Sequence, residues 1–166
     1  MKMATLNGVR RTAIDPADLS AFDGPPKFRL VQGPARLYRF CKPNHPRGRW
    51  WFGSSLIDTL KEDFYDSVYG DGPRQKDEDG TRFVRNELAV SREWNKFAWL
   101  SILTLSGGEA LDCFVGPTSP QPEWQKKKDG PMLGGGHMQI VIYEIGMVPS
   151  RNFSETSMMA LWQKWS

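Results

Sequence analysis

This chain has few of the residues that build metal centres or covalent frameworks: 2 cysteines and 2 histidines among 166 residues. Cys41 and Cys113 lie far apart in the sequence with no CxxC partner, which excludes a disulfide scaffold and a four-ligand zinc site. They read as reduced thiols in a cytoplasmic protein. With only His45 and His137, a His-rich metal site is not expected, and no metal is implied. No run approaches the ~18–20 apolar residues of a membrane span, so a membrane is not among the expected partners. The amino terminus, Met1 to Gly8 followed by Arg10-Arg11, lacks the apolar segment of a signal peptide, which argues against export by the general secretory route. An excess of charge of one sign is also missing. Lys and Arg number 22 against 19 Asp and Glu, and the basic run Lys126-Lys127-Lys128 is followed at once by Asp129. That balance argues against a nucleic-acid partner, whose readers carry clustered basic residues with few acids between them. Without an internal repeat, solenoids and propellers are excluded as well.

What the chain does have is aromatic bulk. Its 39% hydrophobic and 12% aromatic content, with 7 Trp, suffices for one globular core, while 16 Gly and 12 Pro demand many turns. Residues 1–33, with Pro16, Gly24, Pro25, Pro26 and Gly33 around a short helical candidate at Pro16 to Phe22, read as an N-terminal arm. Residues 34–166 then form a single domain.

The first convincing strand is Ala35 to Phe40, whose alternation sets Leu37 and Arg39 on one face and Tyr38 and Phe40 on the other. After a Pro/Gly loop, Arg49 to Phe52 supplies a second strand. Gly53-Ser54-Ser55 opens a helix, with Leu56, Leu60 and Phe64 at helical spacing until Gly70. A polar loop spans Gly70 to Gly80, and a second helix is predicted from about Arg85 to Asn95. Phe97 to Leu105 reads as a strand, Gly107-Gly108 as a turn, and Glu109 to Val115 as another strand. A loop from Thr118 to Gly130 precedes Gly134-Gly135-Gly136-His137-Met138-Gln139 and the strong β-run Ile140 to Ile145. Met158, Leu161, Trp162 and Trp165 predict a closing helix over Ser154 to Trp165. The sum is an α+β chain.

Four features bear on chemistry, each with a purely structural alternative. Arg39 lies among aromatic neighbours, where a guanidinium demands acceptors for its five donors. It is either an edge-strand arginine with its head in water or a planar fork for a phosphate or ribose oxygen. Trp50-Trp51-Phe52-Gly53-Ser54-Ser55 offers aromatic faces for a flat ring and then hydroxyls at a helix N-terminus, although Trp in a strand and Ser at a cap are also ordinary core and capping residues. The run Gly134-Gly135-Gly136 precedes a strand rather than opening a helix, which disfavours a Rossmann site; it lets a backbone pass close to a ligand or serves as a plain loop. Gln139 either closes a strand end or holds a substrate hydroxyl. A Ser-His-Asp triad is not indicated, since no GxSxG motif is present.

In their order along the chain, these elements resemble the ADP-ribosyltransferase superfamily: Leu37-Tyr38-Arg39-Phe40, then Gly48-Arg49-Trp50-Trp51-Phe52-Gly53-Ser54-Ser55, then Gly134-Gly135-Gly136-His137-Met138-Gln139-Ile140. The likeness is closest to bacterial NAD glycohydrolase toxins of the necrotizing-toxin type, in which a glutamine replaces the transferase glutamate. It covers about residues 35–145. It implies two small twisted antiparallel or mixed sheets around an NAD cleft with flanking helices. In that frame Arg39 contacts the NAD phosphates or the nicotinamide-side ribose, and Trp51 and Phe52 wall the nicotinamide pocket. Gly53, Ser54 and Ser55 form the helix mouth where the family carries hydroxyls, and Gly136 and His137 belong to the NAD-binding loop. Gln139 takes the catalytic position, binding the ribose hydroxyl. A neutral amide supplies no base to a protein nucleophile, so the expected activity is hydrolysis of the nicotinamide–ribose bond, with NAD as substrate.

Two related readings stand beside it: a mono-ADP-ribosyltransferase, which needs a glutamate where Gln139 stands, Glu144 lying five residues on and facing the other way; and a RES-type NAD-degrading toxin, for which Glu62 is the candidate acid. The resemblance implies a toxin or effector acting in a cytoplasm, by delivery into a target cell, with a cognate immunity or antitoxin protein; the Pro-rich arm is one place for it to bind. The non-enzyme alternative is a Trp-rich protein-interaction domain.

Overall fold

Where large apolar residues alternate with polar ones, as over Ala35 to Phe40, the backbone is extended. In the computed structural model the described residues are 4–5, 13–69, 88–89, 99–123, 125–127, 129–143 and 145–165. The strands are β1 (Ala4–Thr5), β2 (Lys27–Gln32), β3 (Ala35–Cys41), β4 (Trp50–Gly53), β5 (Trp99–Leu105), β6 (Glu109–Pro117), β7 (Gln121–Pro122), β8 (Met132–Leu133), β9 (Met138–Val141) and β10 (Phe153–Ser157). The helices are α1 (Ser54–Tyr69) and α2 (Met158–Trp165), with 3-10 turns at Pro16–Ala21, Ile145–Met147 and Ser150–Asn152. The architecture is α+β, mostly strands in a curled antiparallel sheet with few helices.

The strands lie in the order β2, β6, β9, β4, β3, β5, β10, all antiparallel neighbours, and β1 adds a short parallel pairing at the start of β6. A ribbon of β7 and β8 stands apart. The joint of the sheet is β4. Its first residues, Trp50 and Trp51, pair with Val141 and Ile140 of β9, and its last, Phe52 and Gly53, pair with Tyr38 and Leu37 of β3. Where the resemblance implies two small sheets, the main strands form one continuous curled path whose halves meet through this four-residue strand.

Three apolar clusters follow from the curl. Leu37, Trp51, Leu103, Leu105, Leu111, Ile140 and Ile142 fill one core to which strands of both halves contribute. Phe40, Phe52 and Leu100 pack beneath α1 and α2 through Leu56 and Met158. Phe22 joins Phe114 and Val141 in the third, with Ile14, Trp50 and Tyr143 around it. Side chains of successive strand residues point to opposite faces, so Leu37 and Phe40 enter different clusters, as the alternation predicts.

Four segments differ from the sequence reading. Residues 27–32 read in sequence as part of the arm, yet β2 pairs along its length with β6, from Lys27 opposite Val115 to Gln32 opposite Ala110. The strand expected over 140–145 starts earlier and stops at Val141, because the chain turns at Tyr143 into a 3-10 turn. The closing helix begins at Met158 rather than Ser154. Residues 153–157 are edge strand β10 along β5, and the cap is Ser157, whose Oγ accepts from the Ala160 N–H at 3.0 Å. The helix predicted over 85–95 and the loop over 70–80 fall mainly outside the described residues, and Leu88 and Ala89 form a turn with Ala89 at φ 47°.

Candidate functional site

A strand that changes partners halfway leaves a gap on each side. The last pairs are Tyr38 with Phe52 on one side of β4 and Ile140 with Trp51 on the other. Arg39 is the next residue of β3, and Gln139 is the residue of β9 just before Ile140. Each therefore stands where its ladder with β4 breaks. Both line one cleft of about 440 Å³, together with Trp50, Trp51 and Phe52 of β4. The remaining wall comes from Ala17, Asp18 and Ala21 of the arm, from Leu88 and Ala89, and from Ser119 and Gln121.

Arg39 is half-buried in a central strand flanked by β4 and β5, so it is not an edge arginine with its head in water. Burial lowers its pKa, with a smaller opposing effect from Cys41. Its Nη1 donates a long bond, 3.4 Å, to the Trp50 carbonyl. Its Nε is buried with no hydrogen-bond partner among the described residues. A buried donor left without an acceptor is unfavourable, and the strain falls on the residue that the cleft is built around. The guanidinium lies in the space that a side chain at Gly48 would occupy, for a Cβ there would overlap it. Gly48 is itself held by Trp51, whose Nε1 donates to the Gly48 carbonyl at 2.6 Å. On either side of Gly48, Arg47 reaches the Gly146 carbonyl at 3.2 Å and Ser150 Oγ at 2.8 Å, and Arg49 reaches Asp18 at 2.8 Å.

Gln139 is half-buried, and its Nε2 donates to the Ala21 carbonyl at 2.6 Å. Asp18, 3% exposed, accepts from Arg49 Nη2 and from the Tyr143 hydroxyl, each at 2.8 Å. These contacts fasten the arm over the cleft.

The other predicted residues are distributed unevenly. Trp51 and Phe52 line the cleft, but at 1% and 2% exposure their rings belong to two separate cores. Phe52 stacks between Tyr38 and Phe40, with ring centroids 6.0 and 5.3 Å away. The more accessible aromatic is Trp50, half-buried, with Arg49 over one ring at 5.9 Å. Ser54 and Ser55 are exposed at the start of α1, and neither they nor Gly53 line the cleft. Gly136 and His137 also lie off it. Their backbones bond to Thr118, through Gly136 N–H to its carbonyl at 2.9 Å and the Thr118 N–H to the His137 carbonyl at 3.0 Å. The close approach that the glycine run permits is to this neighbouring segment. At Gly135, φ is +65° and a Cβ would meet the Thr118 carbonyl at 2.6 Å. Glu62 is exposed on α1 away from the cleft, and position 144 lies outside the described residues.

Sequence reasoning missed Asp18, Ala21, Gly48 and the exposure of Trp50. Asp18 carried one signal, a carboxylate in the first turn after Pro16. Gly48 carried another, a glycine just before the aromatic strand. Among the described residues, no three His, Cys, Asp or Glu side chains gather where they could hold a metal ion. The arrangement places a half-buried cation, an amide and a partly open indole around one cavity. Its size falls among small-molecule sites, which span about 300–1,000 Å³. No family model, curated protein or solved structure matches this chain.

Proposed function

We propose that the cleft binds NAD and that the protein is a glycohydrolase, cleaving the nicotinamide–ribose bond with water as acceptor. One observation carries the reading. Arg39, the aromatic segment and Gln139 come from three consecutive strands of the sheet, β3, β4 and β9, and open onto the same cavity. The likeness to ADP-ribosyltransferases depends on that set of elements, and their meeting in space supports an ADP-ribosyltransferase-like site on this sheet.

The chemistry asks little of acid or base. The bond from ribose C1′ to the nicotinamide nitrogen breaks with its electron pair going to the nitrogen, which neutralises the ring's positive charge. Water then adds to the oxocarbenium-like carbon and releases its proton to solvent. Orientation and electrostatics dominate such a reaction. In this reading the Arg39 guanidinium holds the diphosphate by its charge and planar fork. Trp50 offers the face for the nicotinamide, in place of the more deeply buried Trp51 and Phe52. Gln139 holds a ribose hydroxyl. Its lack of charge and basicity favours water over a protein nucleophile. The biological setting that goes with this activity is a toxin or effector working in a cytoplasm, restrained in its producer by an immunity protein.

The test is NAD consumption by the purified chain, with nicotinamide and ADP-ribose quantified beside Arg39→Ala and Gln139→Ala variants of verified fold. Free ADP-ribose, lost in both variants, supports the proposal. Label transferred to a macromolecule moves it to a mono-ADP-ribosyltransferase. Neither turnover nor NAD binding leaves a Trp-rich interaction domain.

A further inference from the structure

We infer that the segment Asp15–Phe22 is a working part of this cleft, and that the Ala21 carbonyl decides which end of the Gln139 amide faces a substrate; the inference rests on the reading above for the identity of that substrate. A backbone carbonyl only accepts hydrogen bonds. The end of the Gln139 amide lying 2.6 Å from it must therefore be the NH2 group, so the chemistry of the partner fixes the orientation of the amide. Nor is the carbonyl free to turn away. It also accepts from the Ser119 N–H at 3.0 Å, and Ser119 Oγ donates to the Ser20 carbonyl at 2.6 Å. The segment is pinned further by Asp18 on Arg49 and Tyr143 and by Phe22 in its apolar cluster.

With the NH2 group committed, the functional end is Oε1. Gln139 makes no other side-chain hydrogen bond among the described residues, and its Oε1 is not among the sealed, unpartnered polar atoms. The cleft is thus offered an acceptor without a charge, where a freely rotating glutamine would offer either end. This names the ligand chemistry more narrowly: Gln139 selects a hydroxyl donor, such as a ribose hydroxyl, and discriminates against groups that only accept, such as a carboxylate or phosphate oxygen. Ala21 is a positioning residue acting through its backbone, and a segment that reads in sequence as a lead-in arm becomes part of the specificity of the site.

The experiment is nuclear magnetic resonance of the full chain labelled with 15N-glutamine, with the Gln139 side-chain signal assigned by its disappearance in Gln139→Glu. In the unliganded wild type, the Gln139 NH2 protons are expected to exchange with solvent at least tenfold more slowly than those of exposed glutamines. Asp18→Ala, which loosens the segment, is expected to remove that protection and to lower kcat for NAD at least tenfold, with a smaller change in KM. A protected amide in a chain that does not turn over NAD supports the orientation and overturns the NAD reading. An amide exchanging like a free glutamine in a chain that does hydrolyse NAD overturns this inference and leaves the NAD reading standing. The wild-type measurement needs no variant, so a misfolded Asp18→Ala does not block the test.

Discussion

The indole of Trp51 donates to the Gly48 carbonyl at 2.6 Å, and the same glycine, lacking a Cβ, leaves the space in which the Arg39 guanidinium lies. A core residue thereby fixes a loop, and the loop fixes the cation of the cleft. In Gly48→Ala the added methyl collides with the far end of a flexible side chain, not with backbone. The fold absorbs it, with a stability change of about 1 kcal/mol or less. The guanidinium is expelled from its place, and NAD turnover is expected to fall at least tenfold. Urea denaturation beside steady-state kinetics separates the two effects; unchanged turnover in a folded variant would remove Gly48 from the positioning of Arg39.

Trp51→Phe tests the other half of the same relationship. It keeps most of the buried ring but deletes the Nε1 donor, leaving the Gly48 carbonyl without that bond. Together with the lost ring volume, the cost is expected at roughly 1–3 kcal/mol. Because the loop loses its clamp while the arginine remains, KM for NAD should rise more than kcat falls. A stability loss with both kinetic constants intact would confine Trp51 to the core.

How far the sequence could be read depended on the range of the interaction. The split of Leu37 and Phe40 between faces, and the strands carrying Arg39 and Gln139, are local properties of period and residue type. Trp50 and Trp51 are consecutive in a strand, so they must point in opposite directions, but which one faces a core depends on β4 changing partners midway. No local pattern encodes that switch. The first-turn carboxylate of Asp18 was legible, but its role was not, because its partners are 31 and 125 positions away. Strand β10 was hidden for a different reason: Ser154-Glu155-Thr156 is too polar to signal a strand, and its extension comes from pairing with β5.

The glycine run before β9 divides into two cases. At Gly135 the left-handed φ of +65° coincides with a Cβ path blocked by the Thr118 backbone at 2.6 Å, whereas at Gly136, φ +92°, nothing lies within 4 Å. Gly136→Ala therefore carries only backbone strain, about 1–2 kcal/mol. Gly135→Ala adds a collision that requires the two chain segments to separate, and is expected to cost about 1 kcal/mol more or to prevent folding. Thermal denaturation of the pair measures the difference, and equal melting temperatures would show that the Thr118 contact is soft.

Alkaline pH should weaken the fold through the buried thiols. Burial is the main cause that pushes Cys113 up to about 12 from an ordinary value of 9.0, and Cys113 Sγ sits 3.4 Å from the Arg29 carbonyl, to which it donates. Burial also raises Cys41, reinforced by Glu155. Above pH 9 the unfolded chain loses the Cys113 proton while the folded chain keeps it, so the folded state binds more protons and stability falls as pH rises. The contribution of Cys113 is fully present below about pH 9 and is lost progressively up to about pH 12. Denaturation midpoints of the wild type should decline across that window, and Cys113→Ala, less stable at pH 7 through the space it leaves, should decline less steeply. Parallel profiles for the two proteins would mean that Cys113 titrates in the folded state as it does in the unfolded chain.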